Sequence, residues 1–182
     1  GDTRFNAFGY NPRSELTGSQ RYPGYYVPDP PLESEIVDEH REYVYDHIGN
    51  RRQTTTGTEP LFYCANSLNQ YVLTSDVDSC DDPPAYESFS HDLDGNLTQD
   101  GTFDYAWDGE NRLIRATTRM DRGTPGVYDN GDRKVECVYD YMSRRVRKTS
   151  FTWSGGWVED ADGDQLFVYD RWNVVLVLNA NA

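Results

Sequence analysis

The sequence predicts an all-β fold built as a repetitive array of β-hairpins, and three observations lead there. A short phrase, an aromatic residue followed by Asp or Asn and then turn chemistry, recurs seven times from one end of the chain to the other. Apolar residues at helical spacing are absent, while 15 Gly and 9 Pro punctuate the chain throughout, which leaves no room for a long helix. Hydrophobic residues make up only 36% of the chain and aromatics 14%, a balance that suits sheets with two partly solvated faces better than a thick two-layer core.

The elements follow in chain order. The first, looser copy of the phrase is Tyr10-Asn11-Pro12-Arg13-Ser14-Glu15-Leu16. Residues 20–39 then stand apart as a Pro/Tyr-rich loop insertion, because Pro cannot donate to a sheet ladder. Its Tyr22, Tyr25 and Tyr26 are candidates for contact with a sugar or a protein partner, though rings that pack back over the sheet and cap an edge are the preferred reading. Glu42-Tyr43-Val44-Tyr45 reads as strand, rich in β-branched and aromatic types, and runs into Tyr45-Asp46-His47-Ile48-Gly49-Asn50-Arg51. Asp hydrogen-bonds its own backbone two residues on, and Gly49 supplies a positive φ at little steric cost. A second loose copy is Ala65-Asn66-Ser67-Leu68-Asn69-Gln70-Tyr71. Close copies follow at His91-Asp92-Leu93-Asp94-Gly95-Asn96-Leu97 and Trp107-Asp108-Gly109-Glu110-Asn111-Arg112-Leu113. Residues 121–132 form a Gly/Asp-rich loop. Val135–Tyr139 is strand, and Tyr139-Asp140-Tyr141-Met142-Ser143-Arg144-Arg145 turns it into a long returning strand with mixed faces. Asp160–Asp164 reads as a hairpin turn between Trp157-Val158 and Leu166–Tyr169, with Asp-Gly as its turn chemistry. The last copy is Tyr169-Asp170-Arg171-Trp172-Asn173-Val174.

The spacing between copies is uneven, so the phrase is one strand-turn-strand unit reused with connections of different length rather than a regular solenoid. Chance pairing of 14 Tyr with abundant acids is the competing explanation. Turn chemistry at the same offset in several copies argues against it. Each unit is expected to bury its apolar face only against neighbouring units.

The phrase resembles the YD repeats of Rhs proteins. In that family it is close to "YDxxGNLT…DG…YxYDxxNRL", and the run from His91 through Asp100-Gly101 to Leu113 matches it almost letter for letter. Tyr139–Val146 resembles the "YDxxGRRV" variant, with Ser143 where Gly is usual, and Ala65–Tyr71 resembles "NALNQYT". The resemblance spans the whole chain and is most specific in the middle third. It implies structural roles for Tyr10, Asn11, Tyr45, Asp46, Gly49, Asn50, Asn66, Asp92, Gly95, Asn96, Trp107, Asp108, Asn111, Arg112, Tyr139, Asp140, Tyr169 and Asp170. It further implies a single YD-repeat array over 1–182, part of a spiral β-shell or an extended sheet assembly, in a secreted or cell-surface bacterial protein. Shells of that family enclose a toxin or other cargo. The plug, self-cleavage segment and toxin domain that often end bacterial members are not recognisable in these residues. The expected partners are other YD repeats of the same polypeptide or further copies of this chain. The alternative function is an adhesion or filament module that self-assembles by strand pairing or binds carbohydrate.

A net charge of −14 argues against nucleic acid as a partner, since phosphate binding needs clustered Lys and Arg. The only basic cluster, Arg144, Arg145, Arg147 and Lys148, reads as a solvated or cross-strand-paired face. No apolar run is long enough for a membrane-spanning helix. Gly1 opens directly into repeat-like sequence, so any export signal is expected outside this segment. Of three cysteines, Cys64 and Cys80 are candidates for a disulfide that would staple the stretch between them, with Cys137 left as a buried thiol; free thiols throughout are the equal alternative.

Asp160, Asp162 and Asp164 alternate as the first ligands of a calcium loop do, but Gln165 and Arg171 stand where such a loop needs Gly and a bidentate Glu. His40, His47 and His91 lack zinc spacing, and no phosphate loop or nucleophile elbow is present. Asn96-Leu97-Thr98 is a formal glycosylation acceptor whose letters the repeat supplies anyway. No cofactor and no catalytic activity are expected.

Overall fold

A computed structural model describes residues 4–24, 35–81, 83–84, 86–120, 122–123 and 125–180. It is all-β, with one turn of 3-10 helix at Val37–Glu39. The hairpins fall into two antiparallel meanders. The first sheet runs β1 (Arg4–Tyr10), β2 (Leu16–Pro23), β3 (Arg41–Tyr45), β4 (Arg51–Thr56), β5 (Glu59–Ala65), β6 (Tyr71–Ser75) and β7 (Glu87–Ser88), each paired with the next. The second runs β8 (Ser90–His91), β9 (Leu97–Gln99), β10 (Phe103–Trp107), β11 (Leu113–Thr118), β12 (Arg133–Tyr139), β13 (Arg145–Trp153), β14 (Trp157–Asp170) and β15 (Asn173–Asn179). Two compact units result, Gly1–Glu87 and Ser88–Ala182. The long connection after β6 carries Pro83 and Pro84, which cannot donate to a ladder and so interrupt the pairing there.

Every copy of the phrase joins the two strands of a hairpin, so within each sheet the phrase turns line one rim. Beside each of them the register slips by one residue: Val44 faces Gln53 but Tyr45 faces Arg51, and Ala106 faces Arg115 but Trp107 faces Leu113. The same slip recurs in the other five hairpins. Such bulges bend the strand and increase its twist.

Each sheet is a single layer. Among the described residues only Tyr22 and Cys64 are buried hydrophobics; the other buried side chains are Thr74, Ser75, Thr117, Thr118, Thr149 and Asp164. Cohesion therefore rests on ladder hydrogen bonds and half-buried aromatics. The edge strand β15 is exposed on both faces, with Val174, Val175, Leu176, Val177 and Leu178 between 44% and 60% accessible.

Four expectations are corrected here. Residues 160–164 do not form a turn. They lie inside the continuous strand β14, as a bulge in which Thr149 faces Asp164 while Phe151 faces Glu159. Asp-Gly chemistry serves a bulge as well as a turn, and local sequence does not separate the two. Gly163 is required there, since a Cβ would lie 2.6 Å from the Ser150 carbonyl oxygen and 2.9 Å from that of Asp160. Gln20–Pro23 belongs to β2 rather than to a loop insertion over 20–39; residues 25–34 lie outside the described residues. Cys137 is half-buried rather than buried, because β12 has no second layer over it. Tyr22 is corrected below.

Candidate functional site: the stacked turns

Six of the seven phrases fold into one and the same turn. In each, the N–H of Asp or Asn at the first position donates to the carbonyl four residues on, and the N–H of the fourth residue donates back to the first carbonyl. The pairs are Asn11/Glu15, Asp46/Asn50, Asn66/Gln70, Asp92/Asn96, Asp108/Arg112 and Asp140/Arg144, at 2.8–3.0 Å. The fourth residue takes positive φ: Gly49 and Gly95 at +96° and +88°, but Ser14, Asn69, Asn111 and Ser143 at +58° to +65°. That left-handed well tolerates Asn and Ser at modest cost, which is why Ser143 stands where Gly is usual.

The first side chain locks the turn. Oδ1 of Asp46 accepts from the N–H groups of Ile48 and Asn50, both at 2.9 Å, and the same two bonds form at Asn11, Asn66, Asp92, Asp108 and Asp140. The remaining head-group atom faces the side chain four residues on, and here hydrogen-bond polarity matches residue by residue. Where the first residue is Asp, the fifth is a donor: Asn50, Asn96, Arg112 or Arg144, at 2.7–3.0 Å. Where the first residue is Asn, its amide donates to an acceptor, Glu15 at 2.6 Å or Gln70 at 2.8 Å.

These bonds depress the aspartate pKa values. At Asp92 the Asn96 amide is the largest cause, reinforced by backbone N–H donors. At Asp46, Asp108 and Asp140 desolvation is the largest single influence and pushes upward, but the side-chain and backbone donors together outweigh it.

Neighbouring turns are clasped together. The Tyr45 hydroxyl donates to the carbonyl of Leu16 at 2.9 Å, Trp107 Nε1 to Leu97 at 2.7 Å, the Tyr139 hydroxyl to Leu113 at 3.0 Å and that of Tyr169 to Arg145 at 2.9 Å. In each case the acceptor is the residue that pairs with the preceding hairpin's own aromatic. The third hairpin has Ala65 in the aromatic position. Its cross-strand partner Tyr71 takes over, donating to the Arg51 carbonyl at 3.0 Å. A second contact runs along the rim. Asn50 donates to Asn69, Asn96 to Asn111, Arg112 to the Asp140 carbonyl and Arg144 to that of Arg171. Arg112 and Arg144 also lie over the rings of Tyr139 and Tyr169, at 5.3 and 5.0 Å. In the first hairpin the fifth residue is Glu15, and Arg13 supplies the link instead, donating to the carbonyls of Asp46 and His47.

Tyr169-Asp170 departs from the set. Its loop is one residue shorter: Asp170 pairs with Asn173 and Tyr169 with Val174, and Arg171 takes φ +56°. The Tyr169 clasp survives, but the locked turn does not form.

Sequence reasoning found the turn residues but missed Tyr71, Arg13 and the polarity match between first and fifth positions. The match was readable, since Asp is followed by Asn or Arg and Asn by Glu or Gln. It also missed Asp100 on the opposite rim, whose carboxylate accepts from the N–H groups of Thr102 and Phe103 and from the Tyr105 hydroxyl, at 2.6–2.7 Å.

The other candidates disperse. Asp160 accepts from Thr152, Asp162 from Asn179, and Asp164 is held by Arg147 and Thr149, so the three carboxylates serve three different partners. No group of three His, Cys, Asp or Glu side chains among the described residues converges as metal ligands would. Tyr22 is only 6% exposed; it stacks on Phe5 at 5.5 Å and bonds Gln20, so it does not face a partner. Tyr25 and Tyr26 lie outside the described residues. Cys64 and Cys80 are disulfide-bonded. The Asn96 amide is engaged by Asp92 and Asn111, which sets the acceptor sequence there against modification. His40 sits between Glu35 and Glu42; burial, the largest influence, lowers its pKa, yet hydrogen bonds to Glu42 and Glu35 raise it overall. No helix of the described residues is long and apolar enough to cross a membrane.

Known proteins share this sequence in part. The tRNA nuclease WapA of Bacillus subtilis (strain 168) is 31% identical over 112 residues, which cover 59% of this chain and 4% of that protein. The tRNA3(Ser)-specific nuclease WapA of Bacillus spizizenii matches to the same extent. These matches support a relationship to the Rhs/YD-repeat proteins. The chain spans only a small fraction, 4%, of the relatives' length. A solved structure of the Photorhabdus luminescens Tc holotoxin pore aligns over 98% of this chain and 11% of that one, with a TM-score of 0.38 and 14% identity. No family model matches.

Proposed function

We propose that this chain is a non-catalytic wall segment of a larger, secreted or surface-borne Rhs-like protein, in which successive hairpins close a β-shell around a cargo. The observation that carries this reading is the clasp. Within each sheet a hairpin presents to the next one a backbone carbonyl and a rim side chain, and receives an aromatic N–H or O–H in return. This is a contact made for continuation. At the ends of the sheets the pattern stays open: Tyr10, the first phrase aromatic, is 63% exposed, and β15 offers an apolar edge strand. Exposed apolar edges invite a further strand. The wall would act passively, by separating its contents from solvent. The nuclease activity in the relatives' names belongs to those proteins and is not assigned to these residues.

The test is the mass of the native particle beside that of its denatured chain, with protease protection of any enclosed segment. A denatured chain far above 20.9 kDa with a protected segment supports the shell. A chain near 20.9 kDa inside a far larger assembly replaces it with a filament, the second reading that the β15 edge favours.

A further inference from the structure

We propose that the Tyr-rich face of the first sheet carries a binding site for a carboxylate with an apolar body, anchored by the Arg51 guanidinium. The site is a cleft of 360 Å³ lined by Tyr45, Gly49, Arg51, Tyr63 and Tyr71, within the range of roughly 300–1,000 Å³ usual for small-molecule clefts. Register builds it. Arg51 stands opposite Tyr45, and Thr54 stands between Tyr43 on one side and Leu61 on the other. Tyr63 lies two residues beyond Leu61, so β3, β4 and β5 present these side chains on one face. Tyr71 enters from β6, opposite Ala65, and sets its ring 5.4 Å from that of Tyr63. The Tyr43 ring supports the guanidinium at 4.8 Å.

Charge selects the ligand. In a chain of net charge −14, this cleft is lined by one cation and no acid. Other clefts carry carboxylates: Asp104 and Glu136 in one, Asp46 and Asp78 in another, Asp160 and Asp162 in a third. No carboxylate among the described residues pairs with Arg51. Acids of the same rim are engaged elsewhere, Asp46 with Asn50 and Glu15 with Asn11 and Arg13. The side-chain neighbours of the guanidinium are instead the hydroxyls of Tyr63 and Tyr45, which hold it in place without neutralising it. Arg51 itself is exposed, so a ligand can reach it. Its planar fork of N–H donors is the geometry that a carboxylate accepts bidentately. The tyrosine hydroxyls divide the remaining work. Tyr45 and Tyr71 donate to the carbonyls of Leu16 and Arg51, whereas Tyr63 accepts from Thr54 at 3.3 Å and keeps its own proton for a ligand. The half-buried rings of Tyr45, Tyr63 and Tyr71 cover the apolar body. A cation would be repelled by Arg51, and a neutral ligand would leave the charge unpaired. The site needs no shell around it, so this inference stands apart from the wall function.

The experiment is an NMR titration of the intact protein with three probes that share one body: 3-phenylpropanoate, the neutral 3-phenylpropanamide and the cationic 3-phenylpropylammonium. The carboxylate is expected to bind saturably, with the amide and the ammonium weaker by roughly tenfold, the worth of a charge-assisted hydrogen bond. Arg51→Gln should weaken the carboxylate by a similar factor, and Arg51→Lys should recover only part of it, because the fork is lost. Arg51→Gln keeps the backbone carbonyl that Tyr71 clasps, and its melting temperature is the control for folding. Tyr63→Phe keeps the ring, removes one donor and should cost several-fold. An acetylated, amidated phenylalanyl-glutamate separates the sources: tighter binding than the free acid assigns a peptide side chain, weaker binding a small molecule. Equal affinity for acid and amide, no saturable binding of either carboxylate probe, or unchanged phenylpropanoate affinity in Arg51→Gln would overturn the proposal.

Discussion

Moving the clasp of the third hairpin from one strand to the other tests its physical basis. Tyr71 stands opposite Ala65 and supplies the hydroxyl that Tyr45 or Tyr139 supplies from the other strand. Tyr71→Phe removes one bond, to the Arg51 carbonyl at 3.0 Å, which is worth about 1 kcal/mol. Tyr71→Ala also removes the ring contact with Tyr63 at 5.4 Å, a further 0.5–1.5 kcal/mol or so, for a total of about 2 kcal/mol. In a unit of this size that lowers the melting temperature by roughly 8–16 °C. Ala65 is exposed, so a ring fits there. The double variant Ala65→Tyr, Tyr71→Ala restores the arrangement of the other hairpins and should recover at least half of the loss. The assay is thermal unfolding of the wild type, both single Tyr71 variants and the swap, followed by near-ultraviolet circular dichroism. A swap no more stable than Tyr71→Ala alone would refute the idea that the hydroxyl-carbonyl bond, rather than the particular strand, is what matters.

Other perturbations follow from the same geometry. Cys80→Ser opens the bridge between residues separated by 16 positions and should cost the first unit about 3 kcal/mol, seen as a lower unfolding midpoint that reducing agent reproduces in the wild type and not in the variant. Gly163→Ala, forced against two carbonyl oxygens, should destabilise the second unit by roughly 2 kcal/mol, with hydrogen exchange accelerating first in β14 and β15. Asp46, Asp92, Asp108 and Asp140 have folded pKa values below the ordinary 3.8, so their contribution is fully present above that value and is lost as pH falls through the folded values. An acid titration should therefore show unfolding setting in below about pH 4. A melting temperature flat down to pH 2 would contradict the locked turns. His40 works in the opposite sense: its raised pKa stabilises below 6.5 and the contribution disappears as pH climbs through the folded value, so His40→Gln should flatten a small loss of stability on the alkaline side.

The sequence by itself determined the hairpins and their turns. Asp46 with Gly49, or Asp140 with Ser143, closes a loop by bonds no more than four residues long, and such chemistry is written in consecutive letters. The same locality explains the errors. Asp160–Asp164 carries turn letters, but whether they close a hairpin or bulge a strand depends on what β13 places opposite, here Thr149 against Asp164 and Phe151 against Glu159. For Tyr22 the letters leave open partner contact or packing over the sheet, and the register of β1, which brings Phe5 onto its face, decides for packing. Only the tertiary structure decided that Tyr71 replaces the missing aromatic at Ala65, that Arg112 and Arg144 reach the next turn, and that Asp104, Thr117 and Lys134 share one row. Those contacts join residues from separate hairpins, and the uneven connections between phrases hide them. Cross-strand register, which sets them, is fixed by pairing with the neighbouring strand and not by the letters of either strand alone.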